Sequence, residues 1–265
     1  MQPEASLRST VRMTIQAPCA ELRPFVKELF ITESVGAYRH VLLPDTAAVI
    51  AFRFQGNGLR QGALDLPRTF VSGLYDAART LDRPANTSVL VARFTETGIH
   101  AFLREPIDRL FGTTAALDHF FLRSQVGLVE EQLAEKRPNS DRILVVQNFL
   151  LDRLRGEPPS DGLVAALIEQ IKHAKGMIRI APLVRATGLS QSAIERRFRR
   201  VLGISPKGFA SIVRLRRTLQ LQGQVRNLTD LAYRAGYSDQ SHFIKDFRRF
   251  TSRSPMDFFR LSLFC

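Results

Sequence analysis

Two stretches of this chain repeat each other, and the repeat restricts the fold more than any other feature. One reads GLSQSAIERRFRRVLGISPKGF, from Gly188 to Phe209, and the other GYSDQSHFIKDFRRFTSRSPMDF, from Gly236 to Phe258. Phe198-Arg199-Arg200 corresponds to Phe247-Arg248-Arg249, Ser205-Pro206 to Ser254-Pro255, and Phe209 to Phe258, all at an offset of 49. Gly188 and Ser190 correspond to Gly236 and Ser238 at an offset of 48, so the second copy carries one extra residue after its turn. Upstream, Ile180, Leu183 and Val184 correspond to Leu228, Leu231 and Ala232. Two copies are too few for a solenoid and fit two copies of one supersecondary unit.

Each copy reads as helix, glycine turn, helix. Leu183 and Val184 give the first helix an apolar face, Gly188 suits a left-handed end, and Ser190 is a natural N-cap for the next helix. That second helix sets Ile194, Phe198, Val201 and Leu202 on one face, with Ser192, Glu195, Arg196 and Arg199 opposite. In the other unit Phe243, Phe247 and Phe250 point inward, and Gln240, Ser241, Lys245 and Arg248 outward. Between the units, Pro206–Gln222 reads as a helix capped by Ser205, with Phe209, Ile212, Val213 and Leu219 as its apolar stripe. At ~1.5 Å per residue such a strut is ~25 Å long, enough to hold two recognition helices near one duplex turn apart.

Charge is distributed accordingly. Residues 1–157 carry 19 Lys and Arg against 18 Asp and Glu; residues 158–265 carry 19 against 7, nearly all of the net +13. A neutral half joined to a basic half points to a polyanionic partner for the latter, nucleic acid above all. The Pro- and Gly-containing stretch RGEPPSDG, from Arg155 to Gly162, lies where the charge changes and reads as a linker. It divides the chain into 1–157 and 158–265.

The tandem units joined by one helix resemble the DNA-binding domain of the AraC/XylS transcription regulators, over about residues 160–262. GYSDQSHFIKDFRRFTSRSP is the strongest stretch, while Arg197 departs from the pattern by standing where an apolar residue is usual. The resemblance implies base-reading positions at Ser192, Glu195 and Arg196 in the first unit. In the second it implies Gln240, Ser241, His242 and Lys245. Ser190, Arg199, Arg200, Arg248 and Arg249 become phosphate contacts. Glu195 can accept from cytosine or simply pair with Arg199 four residues on. Double-stranded DNA is the expected partner, with a small-molecule effector, RNA polymerase and a second copy of the chain as further candidates.

The first half mixes strands and helices. Leu22, Phe25, Val26 and Leu29 recur at helical spacing within Ala20–Phe30. Ala47–Phe54, Arg68–Leu74 and Ser88–Phe94 read as strands. From Thr97 the pattern is helical, with Ile107, Leu110 and Phe111 at i, i+3, i+4 and longer segments near 116–135 and 140–155. Leu42–Phe52 and Val91–Phe111 weakly resemble the β-rich companion domain of such regulators. The expected fold is therefore α+β: a β-rich sensing or dimerising domain with helices, then an all-α domain of two helix-turn-helix units joined by a linker helix. An apolar sheet of this kind can enclose a small ligand, with Arg53, Arg93 or His100 orienting its polar end.

Other functions find little support. The histidines His40, His100, His119, His173 and His242 are scattered, without HExxH or His/Cys metal spacing, and no GxSxG, Walker A or GxGxxG motif occurs. No catalysis, metal or cofactor is expected. Two cysteines, Cys19 and Cys265, exclude a disulfide framework, and the N-terminus shows no apolar signal segment. Nor is there an apolar run of the ~20 residues a membrane helix needs. A cytoplasmic location is the expectation. Two rival readings stand beside the sequence-specific regulator: an enzymatic or small-molecule-binding first half carried by a DNA-targeting module, and a non-specific architectural DNA binder.

Overall fold

A computed structural model describes residues 11–103, 105–154, 160–222, 224–225 and 227–260. Ten strands occur among them: β1 (Val11–Gln16), β2 (Val26–Ser34), β3 (Tyr38–Leu42), β4 (Val49–Gln55), β5 (Arg60–Gln61), β6 (Leu64–Asp65), β7 (Thr69–Ser72), β8 (Arg79–Arg83), β9 (Thr87–Phe94) and β10 (Thr114–Ala116). Six form one antiparallel sheet in the order β1-β2-β9-β4-β7-β10; the other four form a second in the order β3-β8-β5-β6.

The six-stranded sheet is covered on both faces, which is why its central strands read as near-continuous apolar runs. On β9, Leu90, Ala92 and Phe94 join the main core, while Val89, Val91 and Arg93 face a cavity toward the second sheet. Helices α1 (Gly98–Leu103), α2 (Arg123–Glu135) and α3 (Asn139–Arg153) belong to the core side. There Phe149 meets Phe52 of β4 edge-on, with ring centres 6.0 Å apart.

The two-sided burial also explains where helical spacing misleads. Within Ala20–Phe30 only Ala20–Leu22 makes a short 3-10 turn, and from Val26 the chain is β2. Pro24 lacks an N–H to continue a helix, and a strand with apolar groups on both faces imitates helical spacing. Asp108–Leu110 is likewise a 3-10 turn. The segment expected as a helix from 116 begins at Arg123, because Thr114–Ala116 pairs with β7 at the sheet edge.

The remainder is all-helical: α4 (Gly162–His173), α5 (Ile180–Arg185), α6 (Gln191–Leu202), α7 (Pro206–Leu221), α8 (Leu228–Arg234), α9 (Gln240–Thr251) and α10 (Pro255–Arg260). The fold is thus α+β, a β-rich part followed by helices that contain both copies of the repeat. Residues 155–159 of the expected linker lie outside the described residues; Asp161, beyond them, caps α4 by accepting from the Val164 N–H at 3.1 Å.

The six-stranded sheet and the C-terminal helices share one apolar core, while Leu59, Phe70, Leu81 and Val89 belong to a smaller cluster between the two sheets. The Ile107 N–H donates to the Arg200 carbonyl at 3.1 Å. Glu96, just beyond β9 and 8% exposed, accepts from Lys27 of β2 at 2.8 Å and Lys172 of α4 at 3.4 Å. Burial disfavours its charge, but the hydrogen bond from Lys27 and the nearby Lys172 outweigh this and hold its carboxyl below the ordinary 4.5.

Candidate nucleic-acid interface

The turns of the two repeat units are built alike. Gly188 (φ +71°) and Gly236 (φ +81°) take the left-handed conformation that a Cβ disfavours. At Gly236 a Cβ would also lie 2.3 Å from the Met177 sulfur, so the Met177 side chain would have to move aside. The helices that follow start from side-chain caps. Ser190 accepts from the Ala193 N–H at 3.2 Å and Asp239 from the His242 N–H at 2.7 Å. Asp239 stands between Ser238 and the first residue of α9, so it is the extra residue of the second copy, and the cap has passed to it from serine.

The inward faces are closed. Ile194, Phe198, Val201 and Leu202 on α6 and Phe243, Phe247 and Phe250 on α9 are all at most 3% exposed. Phe198 meets Phe209 of α7 at 5.8 Å, and Phe247 meets Phe258 of α10 at 5.1 Å, each at a steep angle. The two FRR motifs therefore place their phenylalanines identically, each against the phenylalanine that follows the Ser-Pro turn. Ser205 caps α7, accepting from the Gly208 N–H at 3.2 Å, and the 16-residue helix spans about 24 Å at ~1.5 Å per residue.

The residues suggested for base and phosphate contact separate into two settings. Ser192 and Arg196 on α6, and Gln240, Ser241, Lys245 and Arg248 on α9, are exposed. Gln240 accepts from the Thr229 hydroxyl at 3.3 Å. Half-buried Glu195 and exposed His242 line a groove between the units, together with Arg199, Asp246, Arg249 and Lys207 of α7. Glu195 accepts from the Gln191 side chain at 3.0 Å and pairs with Arg199 at 3.5 Å, the local partnership its spacing allowed. His242 lies 3.9 Å from Asp246. Arg249 stacks on the Phe250 ring at 4.4 Å. Arg200 contributes its backbone carbonyl to Ile107, and Ser190 its hydroxyl oxygen to the cap.

Arg197, which stands where the resemblance to the regulator family leads one to expect an apolar residue, has a partner that spacing alone did not reveal. Its guanidinium grips both Asp161 carboxylate oxygens at 2.8 Å, fastening α6 to the N-terminus of α4. The long-range pairing of positions 161 and 197 has no local sequence signal.

The three residues suggested for effector binding are not brought together. Arg93 lines a cavity of about 450 Å³ between the two sheets. It donates to Glu28 at 2.9 Å and also binds Asp45. Arg53 donates to the Gly56 carbonyl at 2.6 Å, and His100 borders a small pocket beside Asp161 and Val201; neither reaches the cavity. Burial, then nearby Arg200, lowers the His100 pKa. Unanticipated are Tyr38, His40, Arg79 and Arg83 on the four-stranded sheet, all lining the cavity. The alternation Arg79-Thr80-Leu81-Asp82-Arg83 was the available signal, because positions i, i+2 and i+4 of a strand share a face. Among the described residues no cluster of three or more His, Cys, Asp or Glu is arranged to hold a metal.

Residues 183–261 match a family of proteins described as "Helix-turn-helix domain". Residues 183–261 are thus a helix-turn-helix domain. Residues 14–116 match a second family, a "Domain of unknown function (DUF6597)". The chain is 25% identical over 174 residues to the HTH-type transcriptional activator RhaS of Escherichia coli O139:H28, a match covering 60% of this chain and 62% of that protein. Among solved structures it is similar to ToxT from Vibrio cholerae, with a TM-score of 0.42 and 11% identity over 95% of this chain and 98% of that one. It is also similar to the xylose-binding transcription activator xylR, with a TM-score of 0.34 and 17% identity over 41% and 29%. The helix-turn-helix domain thus contains the repeat, and the turns, caps and closed phenylalanine faces above are its framework.

Proposed function

We propose that this protein is a sequence-specific DNA-binding transcription regulator, with DNA-binding in residues 158–265 and modulation through residues 1–157. The observation that carries the reading is the pair of capped helices, α6 and α9, each closed inward by phenylalanine and exposing polar and basic side chains. Helices of this shape enter the major groove by their N-terminal turns. Ser192, Arg196, Gln240, Ser241 and Lys245 are then the base-reading set. Arg199, Arg200, Arg248 and Arg249, with the Ser190 hydroxyl, serve the phosphates. Glu195 and His242, in the groove between the units, orient their neighbours Arg199 and Asp246 or reach bases at the groove edge.

A cytoplasmic location suits such a protein; no helix among the described residues is long and apolar enough to cross a membrane. The named relatives are transcription regulators, which weighs against an enzyme. The cavity between the sheets fits an effector site, and RNA polymerase or a second copy would be further partners of a regulator.

Selection of bound duplexes from a random library by the full chain tests the reading. The expected result is an enriched motif bound about 10³-fold or more above random DNA, with affinity falling steeply as salt rises. Salt-sensitive binding without enrichment would favour a non-specific architectural role; no binding would end the proposal.

A further inference from the structure

The cavity between the two sheets is lined mainly by apolar side chains, among them Phe30, Leu42, Leu59, Phe70, Val89 and Val91. Its charged lining does not balance. Three guanidiniums, Arg79, Arg83 and Arg93, face two carboxylates, Glu28 and Asp45, which leaves one positive charge uncompensated. Both carboxylates are bound by Arg93, so the excess resides on β8.

Arg83 is the most exceptional residue there. It is 6% exposed, donates to the Thr32 hydroxyl at 2.5 Å and has no acidic partner among the described residues. Its Nε finds no acceptor, and neither does the buried Nδ1 of His40 on the adjacent strand β3. Tyr38 stacks on His40 at 5.3 Å, with the Arg83 guanidinium 5.7 Å from the Tyr38 ring. Arg79, on the same face as Leu81 and Arg83, lies 3.5 Å from the Tyr75 ring centre and donates to Ser72 and Gln61, again without an acid among the described residues. Burial lowers the pKa of both arginines. A buried guanidinium without a counter-charge is costly to keep unless something supplies one.

We propose that the cavity binds a small organic monocarboxylate, its apolar body against the sheet side chains and its carboxylate held by Arg83. One negative charge neutralises the lining. A carboxylate matches the planar donor fork of arginine, and a predominantly apolar space of this volume suits a compact hydrocarbon or aromatic body better than a polyol. The proposal rests on the reading of residues 1–157 as a sensing unit.

Calorimetric titration of the full chain with 4-butylbenzoate and with 4-butylbenzamide, equal in shape and different in charge, tests it. The acid is expected to bind about 10-fold or more tightly than the amide, the increment of a charge-assisted pair. Arg83→Gln should bring the two within about 2-fold, and Arg83→Lys should keep a preference for the acid. Thermal melts check that the variants remain folded, and Arg79→Gln, which leaves Arg83 in place, should weaken the preference less than Arg83→Gln does. Equal binding of acid and amide, no binding of the acid, or binding of a neutral hexose in its place would each overturn the proposal. DNA affinity measured with and without each compound separates the two claims. An acid that binds without changing DNA affinity leaves the ligand class standing and removes the sensing role. A neutral compound that alone changes DNA affinity does the reverse.

Discussion

Phe198 and Phe247 hold corresponding places in the two units and neither is exposed beyond 1%. Replacing either with alanine should cost about 3–5 kcal/mol of stability, read from denaturant unfolding of the full chain; an unchanged midpoint would contradict the packing. On the outer face Lys245 and Arg248 are exposed and one turn apart, and they should separate by function. Lys245→Ala should cost roughly 1–3 kcal/mol on the cognate site and relax the preference at one or two base pairs. Arg248→Ala should weaken cognate and random duplexes alike and lower the salt slope by about 1. An equal loss on every sequence for Lys245→Ala removes it from the base-reading set. These outward positions were legible because a 12-residue amphipathic helix has only one way to bury four apolar side chains. Arg197 was not, since its partner Asp161 is 36 residues away and no periodicity links them.

At the scale of elements, helices α6 and α9 differ in their caps, and the difference is testable. Ser190→Ala should cost about 1 kcal/mol by leaving the Ala193 N–H unpaired. Asp239→Asn should keep its cap and stability within about 0.5 kcal/mol while removing a negative charge from the end of α9 that would approach phosphate. Random-duplex affinity should therefore rise for Asp239→Asn, and an unchanged affinity would place that end away from DNA. Helices α6 and α7 could be read almost to the residue because the serine cap and the apolar stripe agree, whereas the cap of α9 on Asp239 was not read. Element type failed at Ala20–Phe30, where β2 buries both of its faces and loses the two-residue alternation that marks a strand. The cavity was half legible: Arg93 was named from its strand, but Arg79 and Arg83 acquire meaning only once a second sheet folds over the first.

For the whole molecule, Glu96 sets a pH dependence. It is held ionised between Lys27 of the sheet and Lys172 of α4, with its pKa below 4.5. A depressed carboxylate contributes stability that is fully present above its unfolded value and is lost as the pH falls through the folded one. Stability should therefore decline on acidification below about 4.5, and Glu96→Gln should be less stable at pH 7 yet lose less between pH 5 and pH 3. Parallel curves for the two proteins would assign the acid loss to other groups. That α4 rests against the sheet through this residue was not visible in the charge pattern, which divides the chain near 157 and treats the halves as separate.

Asp45 touches both halves: it is bound by Arg93 at the cavity wall and lies 3.9 Å from Arg216 on the helix between the two recognition units. Its Oδ2 faces Arg93 and its Oδ1 faces Arg216, so one side chain joins the cavity wall to that helix, a route by which a change on one side can be felt on the other. Thermodynamic reciprocity then applies. If a compound in the cavity alters DNA affinity by some factor, bound duplex must alter the affinity for that compound by the same factor, an exchange of about 1–3 kcal/mol in typical cases. The operator would then be an effector of the cavity as much as the cavity is of the operator, and Asp45→Asn should shrink both factors together.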